Sequence, residues 1–147
     1  MKQVDFYLIS NRVNNAKYKL ASRLANKLQR MKQSSLVITD DNKATAELDK
    51  VMWSFSDASF LAHESLTEVN PAALVVIGDK HSVSAATLER QHDVLINLSS
   101  EVPMFNHHFS RIAEIVEADE NAKAAARVRY KSYQGEGFEL KMHNIEL

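Results

Sequence analysis

Two stretches of this chain, Leu74–Ile77 and Val94–Leu98, are apolar at almost every position over the length of a strand. Successive strand residues point to opposite faces of a sheet, so a run that is apolar throughout needs cover on both faces. Ile112–Val116 extends the pattern, Leu36–Thr39 is a shorter run of the same kind, and Val4–Ile9 mixes aromatic and β-branched residues as a first strand. Helical periodicity separates them. Leu20, Leu24, Leu28 and Met31, with Ala21 and Ala25 beside them, recur at spacings of three and four, with Lys19, Arg23, Lys27 and Arg30 on the other side. Ala44, Leu48, Val51, Met52 and Phe55 mark a second apolar stripe. Strands alternating with helices predict an α/β fold: three layers around a mainly parallel sheet. Gly78–His92 is polar and reads as loop or a short helix.

Asp40, Asp41 and Asn42 follow the Leu36–Thr39 run and are cap residues for the helix that comes next. As metal ligands they lack a third partner nearby in sequence. The 147 residues suit one domain with a sizeable core. A formal net charge of −1, from 18 Lys and Arg against 19 Asp and Glu, argues against a protein that coats nucleic acid, so any basic site must be local. The absence of cysteine removes disulfides, thiol nucleophiles and the common structural zinc sites, and fits a cytoplasmic protein. The apolar run near the N-terminus is too short for a membrane span.

Ligands of α/β sheets gather beyond the carboxyl ends of the strands, which raises a nucleotide-dependent enzyme as one reading. The first strand, however, leads into SNRVNNAK, a turn with no glycine to let the backbone approach a pyrophosphate. Gly135 and Gly137 follow a predicted helix and read as its stop. His107 and His108 are adjacent and point apart. No nucleophile elbow, carboxylate pair or metal motif stands out, so a binding module with no cofactor and no metal is expected.

Asp119–Leu140 predicts a helix, a glycine-broken turn and a short apolar end. Lys123, Arg127, Tyr130 and Lys131 fall on one side of this helix, a basic side with an aromatic set into it. Ala122, Ala125, Ala126 and Val128 form the side expected to pack, and Arg129, which falls among them, is expected to reach out to solvent. The segment Trp53–Leu66 concentrates Trp53, Phe55, Phe60 and Leu61, large apolar residues that read first as core.

Phe6-Tyr7-Leu8, Leu48-Asp49 with Trp53, Ser59-Phe60-Leu61 with His63, Asp93–Leu98, and Ala126–Lys131 with Tyr133 and Gly137-Phe138 together resemble the chi subunit family of bacterial DNA polymerase III. The matches run in order over nearly the whole chain, and the C-terminal motif is the most specific. The resemblance implies a single chi-like domain over residues 1–147 with a Rossmann-like fold. It implies a non-catalytic accessory subunit of the clamp-loader complex, paired with the psi subunit and binding the acidic C-terminal tail of single-stranded DNA-binding protein. Neither direct nucleic-acid nor membrane binding is expected.

For a tail resembling Asp-Asp-Asp-Ile-Pro-Phe, the resemblance gives the basic helix a task. Lys123, Arg127 and Lys131 would meet the acids, Arg127 taking the terminal carboxylate with its planar fork. Val116, Tyr130, Gly137 and Leu140 would wall a pocket for the last ring. The same resemblance assigns Trp53, Phe55, Phe60 and Leu61 to the psi interface. Ala62 departs from the proline that the family often has, and the residues after Leu140 match no family pattern.

Overall fold

A computed structural model describes residues 2–54, 63–65, 74–89 and 92–147. In chain order the elements are β1 (Gln3–Ile9), α1 (Ala16–Arg30), β2 (Ser35–Thr39), α2 (Asn42–Trp53), β3 (His63–Ser65), β4 (Val75–Asp79), α3 (Ala85–Glu89), β5 (Val94–Asn97), a 3-10 turn at Asn106–His108, β6 (Arg111–Val116), α4 (Glu120–Gly135) and β7 (Glu139–Ile145). Among the described residues seven strands form one sheet in the order β3-β4-β2-β5-β6-β1-β7, and every pairing there is parallel. The first strand therefore lies between the last two.

Strand alternation divides the core into two layers. Val37, Ile96, Ala113 and Ile115 pack under α1 and α2 with Leu20, Ala25 and Leu48. Leu36, Ile38, Leu95, Ile112 and Val116 point the other way, into the layer that holds Phe6, Ala126 and Tyr133. Both faces of the central strands are covered, which is why their sequences are apolar runs and not alternating patterns.

The helices begin as their sequences dictate. The Asp41 carboxylate accepts the Ala44 N–H at 2.8 Å and caps α2, and Asp119 caps α4 through Ala122 N–H at the same distance. Asp40 does something else: it accepts from Ser100 N–H (3.0 Å) and from the Lys80 ammonium (3.1 Å), tying together the turns after β2, β4 and β5. Of the stripe predicted for α1, Leu20 and Leu28 are buried, whereas Met31 lies past the helix end and is 56% exposed. The polar stretch after β4 contains the short helix α3.

Candidate functional site

Helix α4 crosses the sheet on the side opposite α1 and α2, and a buried charge sets its rotation. Glu114, in the middle of β6, is fully buried. Its carboxylate accepts Arg129 Nε–H (2.9 Å), the Tyr133 hydroxyl (2.6 Å) and the Asn97 amide (2.8 Å). A second Arg129 nitrogen donates to the Ser100 carbonyl at 3.2 Å. Burial pushes the Glu114 pKa up, and the Arg129 guanidinium and the three donors oppose that push. Burial, and then the Glu114 charge, push the Tyr133 hydroxyl well above its ordinary range, so it remains a donor.

This network reverses one expectation. Arg129 is buried, only 5% exposed, and Val128 is 70% exposed. The packed side of α4 is Ala126, Arg129 and Tyr133, at spacings of three and four. The guanidinium turns inward because a strand carboxylate awaits it there, and an unpaired buried carboxylate would be far more costly than a buried pair.

With Arg129 and Tyr133 facing the sheet, the neighbouring flank of α4 overhangs β1 and β7 and encloses a groove of about 440 Å³. Its apolar surface comes from Phe6 and Leu8 of β1, Val116 of β6, Ala126 and Tyr130 of α4, and Met142 of β7. Tyr130 leans on Phe6 with ring centroids 5.6 Å apart. Lys123, Arg127 and Lys131 complete the lining with cations from one side, and Glu117 adds one carboxylate. Lys123 lies 3.8 Å from Glu120, its exposed neighbour one turn back.

Of the residues that sequence reasoning placed at a peptide site, Val116, Lys123, Arg127, Tyr130 and Lys131 come together here. Gly137 and Leu140 are not among the lining residues. Gly137 has φ +87°, a left-handed conformation suited to glycine, and turns the chain from α4 into β7. The Phe138 N–H then bonds to the Tyr133 carbonyl (3.1 Å), and the Phe138 ring meets Tyr133 edge-on. Leu140 packs against the core beneath α4. Sequence reasoning missed Phe6, Leu8 and Met142 as groove residues. The parity of the first strand was a usable signal for Phe6 and Leu8, but β7 itself had to be recognised before Met142 could be placed.

Trp53 closes α2 and is 59% exposed. Phe55, Phe60 and Leu61 lie outside the described residues, as does Ala62.

The crevice beyond the carboxyl ends of β2 and β5, where a nucleotide would sit in many α/β folds, measures about 250 Å³ and includes Lys17, Asp40, Ser99, Ser100 and Glu117. The Asp40 carboxylate already takes the Ser100 N–H and hydroxyl, donors that a phosphate would otherwise use. Among the described residues no three His, Asp or Glu side chains come together as a metal site, and no helix is long and apolar enough to cross a membrane.

Comparison with known proteins addresses the whole chain. A family model described as DNA polymerase III chi subunit, HolC, matches residues 1–141. The chain is 34% identical over 145 residues to DNA polymerase III subunit chi of Pseudomonas aeruginosa, covering 99% of this chain and 98% of that protein. It is 27% identical over 148 residues to the subunit chi of Haemophilus influenzae, covering 98% of each, and 28% identical over 145 residues to that of Escherichia coli, covering 95% of this chain and 96% of that one. Among solved structures, the crystal structure of T4 UvsW superposes with a TM-score of 0.71 over 98% of this chain and 41% of that one. At 8% identity this is a likeness of fold alone. The ordered motifs from Phe6 to Phe138 thus have their explanation in descent: the chain belongs to the DNA polymerase III chi subunit family.

Proposed function

We propose that this protein is a non-catalytic accessory subunit of the clamp-loader complex of DNA polymerase III, and that the groove under α4 takes the acidic C-terminal tail of single-stranded DNA-binding protein. The observation that carries this reading is the composition of the groove: an apolar floor from Phe6, Leu8, Val116, Tyr130 and Met142 beside Lys123, Arg127 and Lys131. A peptide with acids followed by a terminal aromatic ring and free carboxylate meets both halves. The ring leaves water against the floor, and the planar fork of Arg127 suits the two carboxylate oxygens. Exposed ion pairs contribute about 0 to 1 kcal/mol each, whereas micromolar binding needs about 8 kcal/mol, so the buried ring supplies a substantial share.

In this reading the chain works in the cytoplasm and pairs with the psi subunit through the region that begins at Trp53. The two partners then occupy different parts of the molecule, and the protein joins coated single strands to the polymerase machinery. Calorimetric titration with a synthetic tail peptide ending in Ile-Pro-Phe tests the groove. Micromolar binding is expected, with loss in Arg127→Ala and with a peptide lacking the final Phe. Undiminished binding to both controls would sink the assignment.

A further inference from the structure

β7 borders the groove through Met142. Among the described residues that strand ends the sheet, and the register shows which of its backbone groups face outward. Glu139 N–H donates to the Lys2 carbonyl (2.9 Å) and Ser10 N–H to the Ile145 carbonyl (2.8 Å). With Glu139 opposite Gln3 and Ile145 opposite Ile9, the odd-numbered residues of β7 turn their backbone polar groups to β1. Alternate residues of a parallel ladder turn opposite ways, so the N–H and C=O groups of Leu140, Met142 and Asn144 face away from the sheet. These residues also carry their side chains on the α4 side, where Met142 lines the groove.

Sheet edges are commonly guarded by charged side chains, by proline, by a bulge or by a covering segment, and Lys141 of β7 is a guard of the first kind, which disfavours a basic strand but not an acidic one. β7 contains no proline, and its seven residues pair with β1 in unbroken register, so it has no bulge. We propose that this edge accepts an added strand: the acidic residues preceding the terminal ring of the tail pair through their backbone with Leu140, Met142 and Asn144, while the tail's end fills the groove. This rests on the tail reading given above. Side chains of an added strand alternate between faces, so one set of acids would approach Arg127 and Lys131 and the other set Lys141 on the reverse face. A second copy of this chain fits less well, because it would bring its own Lys141 and α4 cations against those already there.

Amide hydrogen exchange on the full chain, with and without the synthetic acidic peptide ending in Ile-Pro-Phe, reads the contact directly. Saturating peptide is expected to slow exchange at Leu140, Met142 and Asn144 by about tenfold or more, and to leave Lys141 and His143, already bonded to β1, unchanged. Asn144→Pro removes an outward N–H that the ladder does not use, so the fold should persist while peptide affinity falls about five- to tenfold. If the peptide binds, is lost in Arg127→Ala, and yet neither slows these amides nor responds to Asn144→Pro, strand addition is wrong and the groove reading stands. If the folded chain binds no peptide at all, both fail. Protection of the same amides by self-association without peptide would assign the edge to a second copy and overturn the proposal.

Discussion

Arg129 Nε lies 2.9 Å from Glu114 Oε1, with both side chains withdrawn from solvent, and this pair decides which flank of α4 faces the groove. Removing one member leaves the other charged and buried. Arg129→Met is therefore expected to cost about 3–5 kcal/mol in urea denaturation, and the double change Arg129→Met with Glu114→Leu much less than that. Equal losses in the single and double variants would show that the pair is not the relevant unit.

Tyr133 contributes to the same network through its hydroxyl and to the core through its ring, which lies edge-on to Phe6 and Phe138. Tyr133→Phe keeps the ring and removes a 2.6 Å bond to a carboxylate. A loss of about 1–3 kcal/mol is expected by equilibrium unfolding, with the secondary structure unchanged by circular dichroism.

Gly137 separates two roles. Nothing lies within 4 Å of where a Cβ would stand, so Gly137→Ala meets no steric obstacle beyond its positive φ. A stability loss of about 1–2 kcal/mol is expected from that backbone conformation. Tail-peptide affinity should stay within about twofold, since Gly137 does not line the groove. A large drop in affinity for the folded variant would return Gly137 to the binding surface.

Salt tests the cations. Binding through Lys123, Arg127 and Lys131 should weaken as ionic strength rises without being abolished, because the ring's burial is insensitive to screening. The slope should be shallower for Lys123→Ala and Lys131→Ala, as measured by titration at several salt concentrations. Affinity wholly indifferent to salt would count against the basic flank.

Asp40 should mark the acid limb of stability. Burial works to raise its pKa, but the Ser100 N–H and hydroxyl and the Lys80 ammonium outweigh it and hold the value below the ordinary 3.8. A carboxylate depressed in the folded state contributes stability that is present above its unfolded pKa and is lost as pH falls through the folded one. Urea midpoints taken between about pH 5 and about pH 2 should thus fall more steeply for the wild type than for Asp40→Asn. Parallel curves would show that the tie between the turns contributes little.

Much of the fold was legible in the sequence because the central strands are covered on both faces. Ser35–Thr39, Val75–Asp79 and Val94–Asn97 are buried at every position, and such runs are conspicuous. β7 was not legible for the opposite reason. As an edge strand it mixes half-buried and exposed residues with none fully buried, and Glu-Leu-Lys-Met-His-Asn-Ile carries no apolar run. Losing β7 meant losing Met142 from the groove and placing Leu140 at its wall. The basic flank of α4 follows from 3.6-residue periodicity alone, and so Lys123, Arg127, Tyr130 and Lys131 were grouped together. Arg129 was misread because its partner stands fifteen positions earlier, in another element. The clue was Glu114 within Ile-Ala-Glu-Ile-Val: a carboxylate inside a strand run must find a cation or several donors, and the following helix supplies both.

The place of β1 between β6 and β7 has a consequence for how the molecule comes into being. Gln3 pairs with Arg111 on one side and Glu139 on the other, so both neighbours of the first strand are made last. Contacts of such sequence separation carry a large loop-closure cost and slow folding. Phe6 and Leu8 are synthesised long before Tyr130 and Met142, the residues that close over them. Phe6 and Leu8 therefore precede by more than a hundred residues the segments that cover them, and the groove is complete only once α4 and β7 have joined the first strand.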